Sequence, residues 1–295
     1  MDRGKKRILR VQNKIIIEGG VYHITQRAPG KEKVFLEESD YLKFISLLKE
    51  SSAKFSLEVY AFSLLTNHLH ILLRTGNNLL SKAMQELFKR YALYFNSKYE
   101  RKGHVFSGRY RAALCNDADY FLTISLYIHL NAYRARIVTS PFQYHWHSLD
   151  IYVKNVKSSF VNPLPILEEV YPSSTKKAKA AYRKFVKDMS KISFSIRTME
   201  GKKSIKKLYE EVIKWARRNK KMFLGSSKLF SNLWEIEKKM QRIKGRKLPR
   251  LPQNRKALVY LVEQLLARGY SILEISKKLG VDRVTVYRWL HSEIV

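Results

Sequence analysis

The run FSLLTNHLHILLR, residues 62–74, limits the possible folds of this chain more than any other stretch. It follows directly on a strand-like segment, residues 57–65, and only Thr66 and Asn67 separate the two apolar runs. Strands this close can pair only by turning back on each other, as an antiparallel hairpin with a tight turn. Side chains alternate along a strand, so His68, His70 and Leu72 point one way and Leu69, Ile71 and Leu73 the other. Two imidazoles on one buried face each need hydrogen-bond partners. Alternatively they bind one divalent ion, each through a single ring nitrogen. The spacing alone leaves both readings open.

The neighbouring segments supply layers for that hairpin. After Gly19 and Gly20, residues 21–26 read as a short strand with Val21, His23 and Thr25 on one face. Ser39 is the expected N-cap of a helix over residues 40–52, with Leu42, Phe44, Ile45 and Leu48 as its apolar side. Residues 80–99 form a longer helix whose Leu80, Met84, Leu87, Phe88, Tyr91 and Phe95 recur every three or four positions, as a helix lying across a sheet requires. A further helix, capped by Asn116 or Asp117, runs to about residue 134. On it Tyr127 and Asn131 share a face, with Tyr120 two turns earlier on nearly the same side. The order predicts an α+β class, an antiparallel sheet with packed helices. The aromatic residues 141–152 cover its end, with His145 and His147 as packing or surface residues.

Charge points to the partner. Lys and Arg number 57 against 25 Asp and Glu, a formal net charge of +32, and such an excess calls for a polyphosphate backbone. No run of roughly 18 apolar residues exists and the charge is not confined to one amphipathic helix, which argues against a membrane. The single cysteine, Cys115, excludes a disulfide framework and a multi-cysteine zinc site. The basic N-terminus lacks the apolar core of a signal peptide, so a cytoplasmic, nucleoid-associated location is expected. In residues 101–114, Gly103 and Gly108 stand among Arg101, Lys102, Arg109 and Arg111. Backbone freedom beside guanidinium groups suits phosphate contacts, which makes Arg109 and Arg111 DNA-binding candidates.

Composition also divides the chain. Residues 172–250 hold 25 Lys and Arg against 6 Asp and Glu, a net 25 − 6 = +19. This basic helical connector includes a helix near residues 205–216, with Leu208, Val212, Ile213 and Trp215 as a modest apolar side. The last residues read as three helices, 254–268, 271–279 and 283–291, with Ser271 and Asp282 as caps and Gly280 as a stop. Ile272, Ile275, Leu279, Val286 and Leu290 are spaced to fill one small core. The last helix of this helix-turn-helix would offer Arg283, Thr285, Tyr287 and Arg288 to a duplex major groove. The expected domains are residues 1–155, 156–250 and 251–295.

If the His68/His70 face meets the Tyr127/Asn131 face, two imidazoles and one amide oxygen surround a divalent ion and leave positions open for a phosphate. A tyrosine hydroxyl, with an ordinary pKa near about 10, attacks phosphorus only when charge is drawn from the phosphate or the leaving oxygen is stabilised. Its product is a phosphotyrosine and a free hydroxyl. No phosphate-cradling glycine loop, paired-carboxylate cluster or serine nucleophile elbow offers a rival chemistry.

His68-Leu69-His70 resembles the His-hydrophobic-His motif of the HUH single-strand DNA endonucleases, and Tyr127-Ile128-His129-Leu130-Asn131 resembles their tyrosine helix. GHVFSGRYRA at 103–112, DYFLTISLYIHLNAYRARIV at 119–138 and YHWHSL at 144–149 resemble the REP-associated tyrosine transposases among them. The resemblance covers roughly residues 15–153. It implies a ferredoxin-like or RNA-recognition-type sheet, Mg²⁺ or Mn²⁺ as the ion where imidazoles alone would point to zinc, and Tyr127 as nucleophile with His68, His70 and Asn131 as metal ligands. It also implies cleavage and rejoining of single-stranded DNA near hairpins through a 5′-phosphotyrosine, often in a homodimer. Asn131 stands where many members have Gln, and Ala132-Tyr133 where related sequences have Pro-Val. A non-catalytic DNA-binding regulator would not need all four site residues, and a replication or transfer nickase of the same chemistry is disfavoured by a single usable tyrosine and the lack of a helicase segment. Tyr120, without an Asn at plus four, is the alternative nucleophile.

Overall fold

The computed structural model describes residues 16, 18–30, 32–77, 79–115, 118–172, 174–192, 202–218, 258, 262, 265, 266 and 270–291. The first elements are β1 (Val21–Arg27), α1 (Glu38–Lys54), β2 (Leu57–Leu65), β3 (His68–Thr75), α2 (Leu80–Lys98) and β4 (Arg111–Cys115). The strands form one antiparallel sheet in the order β2-β3-β1-β4. This is the βαββαβ arrangement of ferredoxin-like folds, within the expected α+β class. The hairpin β2–β3 turns at Thr66 and Asn67, as the spacing requires.

Two departures from the sequence reading concern local structure. The pattern leaves residues 111–115 unassigned, yet they pair with β1 from Val21–Cys115 to Thr25–Arg111. Ser39 does not cap α1. The helix begins two residues earlier, with Glu37 as N-cap in a reciprocal capping box with Asp40. Asp40 is fully buried and takes backbone hydrogens from Leu36 and Glu37, with Lys98, Tyr94 and Tyr99 closing around it. Those partners, the lysine foremost, hold its carboxyl below the ordinary range against the opposing pull of burial. The expected Asn116/Asp117 cap lies outside the described residues, as does most of the helix expected at 254–268.

The two faces of the sheet carry different layers. Tyr22, Ile24, Leu69, Ile71 and Leu73 pack beneath α1 and α2. The opposite face takes α3 (Ala118–Arg134), with Val21, Ala61 and Leu72 in that second core. Alternation in β3 is thus realised as expected, with the histidines on the α3 side. α3 is buried on nearly every side, which matches its all-round apolar composition.

What buries the far side of α3 is the beginning of the basic region. After a 3-10 turn (Pro141–Gln143) come α4 (Leu149–Val153), α5 (Leu164–Val170), α6 (Thr175–Ser190) and α7 (Lys202–Arg218). α6 buries Ala178, Ala181, Tyr182, Phe185, Val186 and Met189, a helical stripe, and α7 buries Ile205, Leu208, Val212 and Trp215. Trp215 packs on Phe185 with ring centroids 4.3 Å apart and donates to Asp188 at 3.0 Å. Complete burial of such side chains contributes roughly 1.5–3 kcal/mol each. Residues 164–190 and 202–218 are therefore a packed layer on α3.

Near the C-terminus, α8 (Ile272–Leu279) and α9 (Arg283–His291) form the expected helix pair. Ser271 and Glu274 make a capping box, and Gly280 stops α8 with a φ of 67°, a left-handed conformation that glycine adopts at little cost. Val262, Ile275 and Val286 are the centre of its small core. Glu274 also pairs with Lys206 of α7. Among the described residues, no helix is long and apolar enough to cross a membrane.

Candidate active site

The site forms where α3 crosses β1 and β3. Register places Thr25 opposite His70, Arg27 opposite His68 and His23 opposite Leu72, so His23, Thr25 and Arg27 join the two predicted histidines on one face. The His70 ring centroid lies 5.1 Å from that of His68 and 5.2 Å from that of His23. His23 Nε2 and His70 Nδ1 are 3.0 Å apart, within hydrogen-bond distance. α3 lays Tyr127 edge-on over both rings, with centroids 5.3 Å from His70 and 6.0 Å from His23. Asn131 and Arg134 follow one and two turns later on the same stripe, both buried.

Burial sets the protonation of the histidines. It drives His70 well below the ordinary imidazole pKa, with His68 and His23 adding repulsion, and takes His23 down to about 3. Both are neutral at physiological pH, the form that binds metal. His68 Nδ1 lies 2.7 Å from Asn67 Oδ1, an acceptor to which the Nδ1–H tautomer of His68 donates. Arg134 is brought down to about 10 by burial, opposed by the acidic phenols of Tyr127 and Tyr133, and remains a cation at neutral pH. A guanidinium beside the tyrosine favours negative charge there.

Among the described residues, the buried His70 Nε2 and Asn131 Nδ2 of the site have no hydrogen-bond partner. Such groups cost about 1–3 kcal/mol each, which a bound ligand recovers. Among the described residues no three His, Cys, Asp or Glu gather to hold a metal ion. An ion at His68 and His70 therefore needs a different third ligand, and Asn131 fits, because a half-turn of its amide exchanges nitrogen for oxygen. The residues present suit a divalent ion with open positions for phosphate oxygens.

The other predicted residues fall around this centre. Arg109 and Arg111 are both exposed. Arg111 faces Thr25 on the side away from His70, which puts it on the histidine face about 10 Å from His70, two strand spacings. Gly108, with a φ of 118°, accepts from the Gln26 side chain at 2.9 Å and anchors the turn that presents Arg109. Tyr120 is fully buried and edge-on to Tyr209. His147 is buried, with Nε2 3.0 Å from the Pro141 carbonyl, a packing role, and His145 is exposed. Arg283, Tyr287 and Arg288 are exposed on α9, whereas the Thr285 hydroxyl is bonded to Asp282 at 2.7 Å as part of the helix cap.

Sequence reasoning assigns no site role to His23, Arg27, Asn67 or Arg134. The alternation of VYHITQR does put His23, Thr25 and Arg27 on one face, and Arg134 is seven residues after Tyr127, so both had a periodic signal. Only strand pairing and helix docking tie those signals to the site.

Residues 17–131 match the family model described as "Transposase IS200 like", and residues 252–292 match a homeodomain-like domain. No curated protein matches the chain. Among solved structures, that of a REP-associated tyrosine transposase bound to a REP hairpin is similar to this chain at 15% identity and a TM-score of 0.43, over 51% of this chain and 95% of that one. All four strands, the His-x-His pair, Tyr127 and Asn131 lie inside the segment, residues 17–131, that is similar to the IS200-like transposases.

Proposed function

We propose that this protein is a DNA transposase that cuts and rejoins single-stranded DNA through Tyr127, with His68, His70 and Asn131 holding Mg²⁺ or Mn²⁺. The observation that carries the reading is the packing of the Tyr127 ring 5.3 Å from His70, whose Nε2 is buried without a partner among the described residues. Such an ion, when bound, polarises a phosphoryl oxygen and neutralises charge that develops on the leaving oxygen.

The remaining steps belong to the chain. Arg111 and Arg27, exposed on the histidine face, and Arg109, exposed on the turn before β4, hold the strand by its phosphates. Tyr127 Oη attacks the phosphorus, the bond to the 3′ oxygen breaks, and the phenol proton is passed through solvent to that oxygen. The products are a 5′-phosphotyrosine and a free 3′-hydroxyl, and attack by a 3′-hydroxyl reverses the step without any oxidant or energy source. Arg134 stabilises negative charge on the tyrosine oxygen and the phosphate. α9 binds duplex DNA through Arg283, Tyr287 and Arg288, and the family resemblance supplies the hairpin near the cut and the homodimer.

Incubation with single-stranded hairpin DNA and Mn²⁺ gives a protein–DNA adduct that survives denaturation. Tyr127→Phe, His70→Ala and chelation each abolish it, while Tyr120→Phe retains it. A wild-type protein that binds such DNA yet forms no adduct on varied hairpins is a regulator instead.

A further inference from the structure

We infer that His23 is a positioning residue, which holds the His70 ring through the Nε2···Nδ1 contact so that His70 presents Nε2 to the divalent ion. The inference rests on the metal site proposed above. The two rings are buried, 3.0 Å apart at those nitrogens, and nearly parallel at 23°. One hydrogen between the two nitrogens has two possible placements.

If it sits on His70 Nδ1, that nitrogen donates to the His23 lone pair and His70 Nε2 is left with a lone pair, the form that binds metal. If it sits on His23 Nε2, His70 accepts at Nδ1 and must carry its own proton on Nε2, where no acceptor is found among the described residues. That second form cannot ligate an ion. His23 therefore needs to act as the acceptor, with its own proton on Nδ1.

The same device is visible at His68, where Asn67 Oδ1 is an acceptor 2.7 Å from Nδ1. Each candidate metal-binding imidazole thus has a protein group on its Nδ1, which is how ligating histidines are oriented in metal sites generally. His23 is not placed to take the Tyr127 proton instead. Its Nε2 is engaged by His70, and its ring centre lies farther from Tyr127 than that of His70, 6.0 Å against 5.3 Å. His23 reaches the site from a different strand, 47 residues before His70.

The test uses the full chain with ¹⁵N-labelled histidine, and reads His70 tautomer by NMR and Mn²⁺ affinity by calorimetry. Wild type has His70 protonated at Nδ1. His23→Leu, which has no acceptor, binds Mn²⁺ about 10- to 100-fold more weakly, and His23→Gln, whose amide oxygen accepts in place of Nε2, restores affinity to within about threefold. The wild-type tautomer requires no variant to fold. A His70 proton found on Nε2, or equal Mn²⁺ affinity in wild type and a folded His23→Leu, overturns the inference. Wild type with the Nδ1–H tautomer that binds no Mn²⁺ overturns the metal site itself, a result distinct from a wild type that binds and a variant that binds equally.

Discussion

The Tyr182 hydroxyl lies 2.8 Å from His129 Nδ1, and this bond joins the tyrosine helix to α6. The far nitrogen of His129 is 2.8 Å from Ser148 Oγ, which in turn meets the backbone of Phe62 in β2. His129 is fully buried and neutral, so its two nitrogens need one donor and one acceptor, and the hydroxyls can serve as either. The helix that carries Tyr127 is thus fixed between the sheet and a segment that composition alone assigns to a connector.

Tyr182→Phe leaves a His129 nitrogen without a partner and removes the bond to Ser125. The expected loss is about 1–3 kcal/mol of stability, measured by urea denaturation. A chain ended at residue 155 loses Tyr182, Phe185 and Trp215 from α3 altogether. It should aggregate or elute as an expanded species in size-exclusion chromatography, and a compact monomer would show that the helices after α4 are dispensable.

Four histidines, His23, His70, His129 and His147, have pKa values lowered in the folded protein, in every case with burial as the largest cause. Above the ordinary pKa of about 6.5 both states are neutral there and stability is unaffected. As pH falls below that value the unfolded chain takes up protons that the folded one refuses, so stability declines. Each histidine contributes a slope of about 1.4 kcal/mol per pH unit until its folded pKa is reached. Denaturant midpoints of the metal-free protein should be level between pH 7 and 8 and fall steeply from pH 6.5 to 5. A flat profile across that range contradicts the burial.

Asn67→Ala removes the acceptor 2.7 Å from His68 Nδ1. Mn²⁺ affinity should drop about 10- to 100-fold with little change in melting temperature. Unaltered affinity would remove His68 from the proposed metal site.

Arg109→Ala and Arg111→Ala should weaken single-stranded DNA binding on all sequences alike. If each contacts one phosphate, each substitution lowers the slope of log affinity against log salt by about 0.7. Arg283→Ala should leave that slope unchanged and weaken duplex binding only.

Much of this arrangement is legible in the sequence because local rules fix it. The hairpin follows from two apolar runs and a two-residue gap, and α8 from Ser271 and Gly280 at its ends. β4 is not legible: Arg111, Ala113 and Cys115 contrast too little with Ala112 and Leu114, and the strand exists because β1 offers it a free edge. The α1 cap is misread for a similar reason, since Asp40 gains its partners from Lys98 and Tyr99, far along the chain. At the site, His68, His70, Tyr127 and Asn131 stand in recognisable spacings, whereas His23 and Arg134 acquire meaning only once β1 pairs with β3 and α3 docks on the sheet.

The central claim is that Tyr127 becomes joined to DNA. Digestion of the denaturation-resistant adduct with nuclease and protease, followed by mass spectrometry, should find a nucleotide 5′-phosphate on the peptide containing Tyr127 and on no other tyrosine. A phosphonucleotide mapped to Tyr120 or to any other residue would contradict the account.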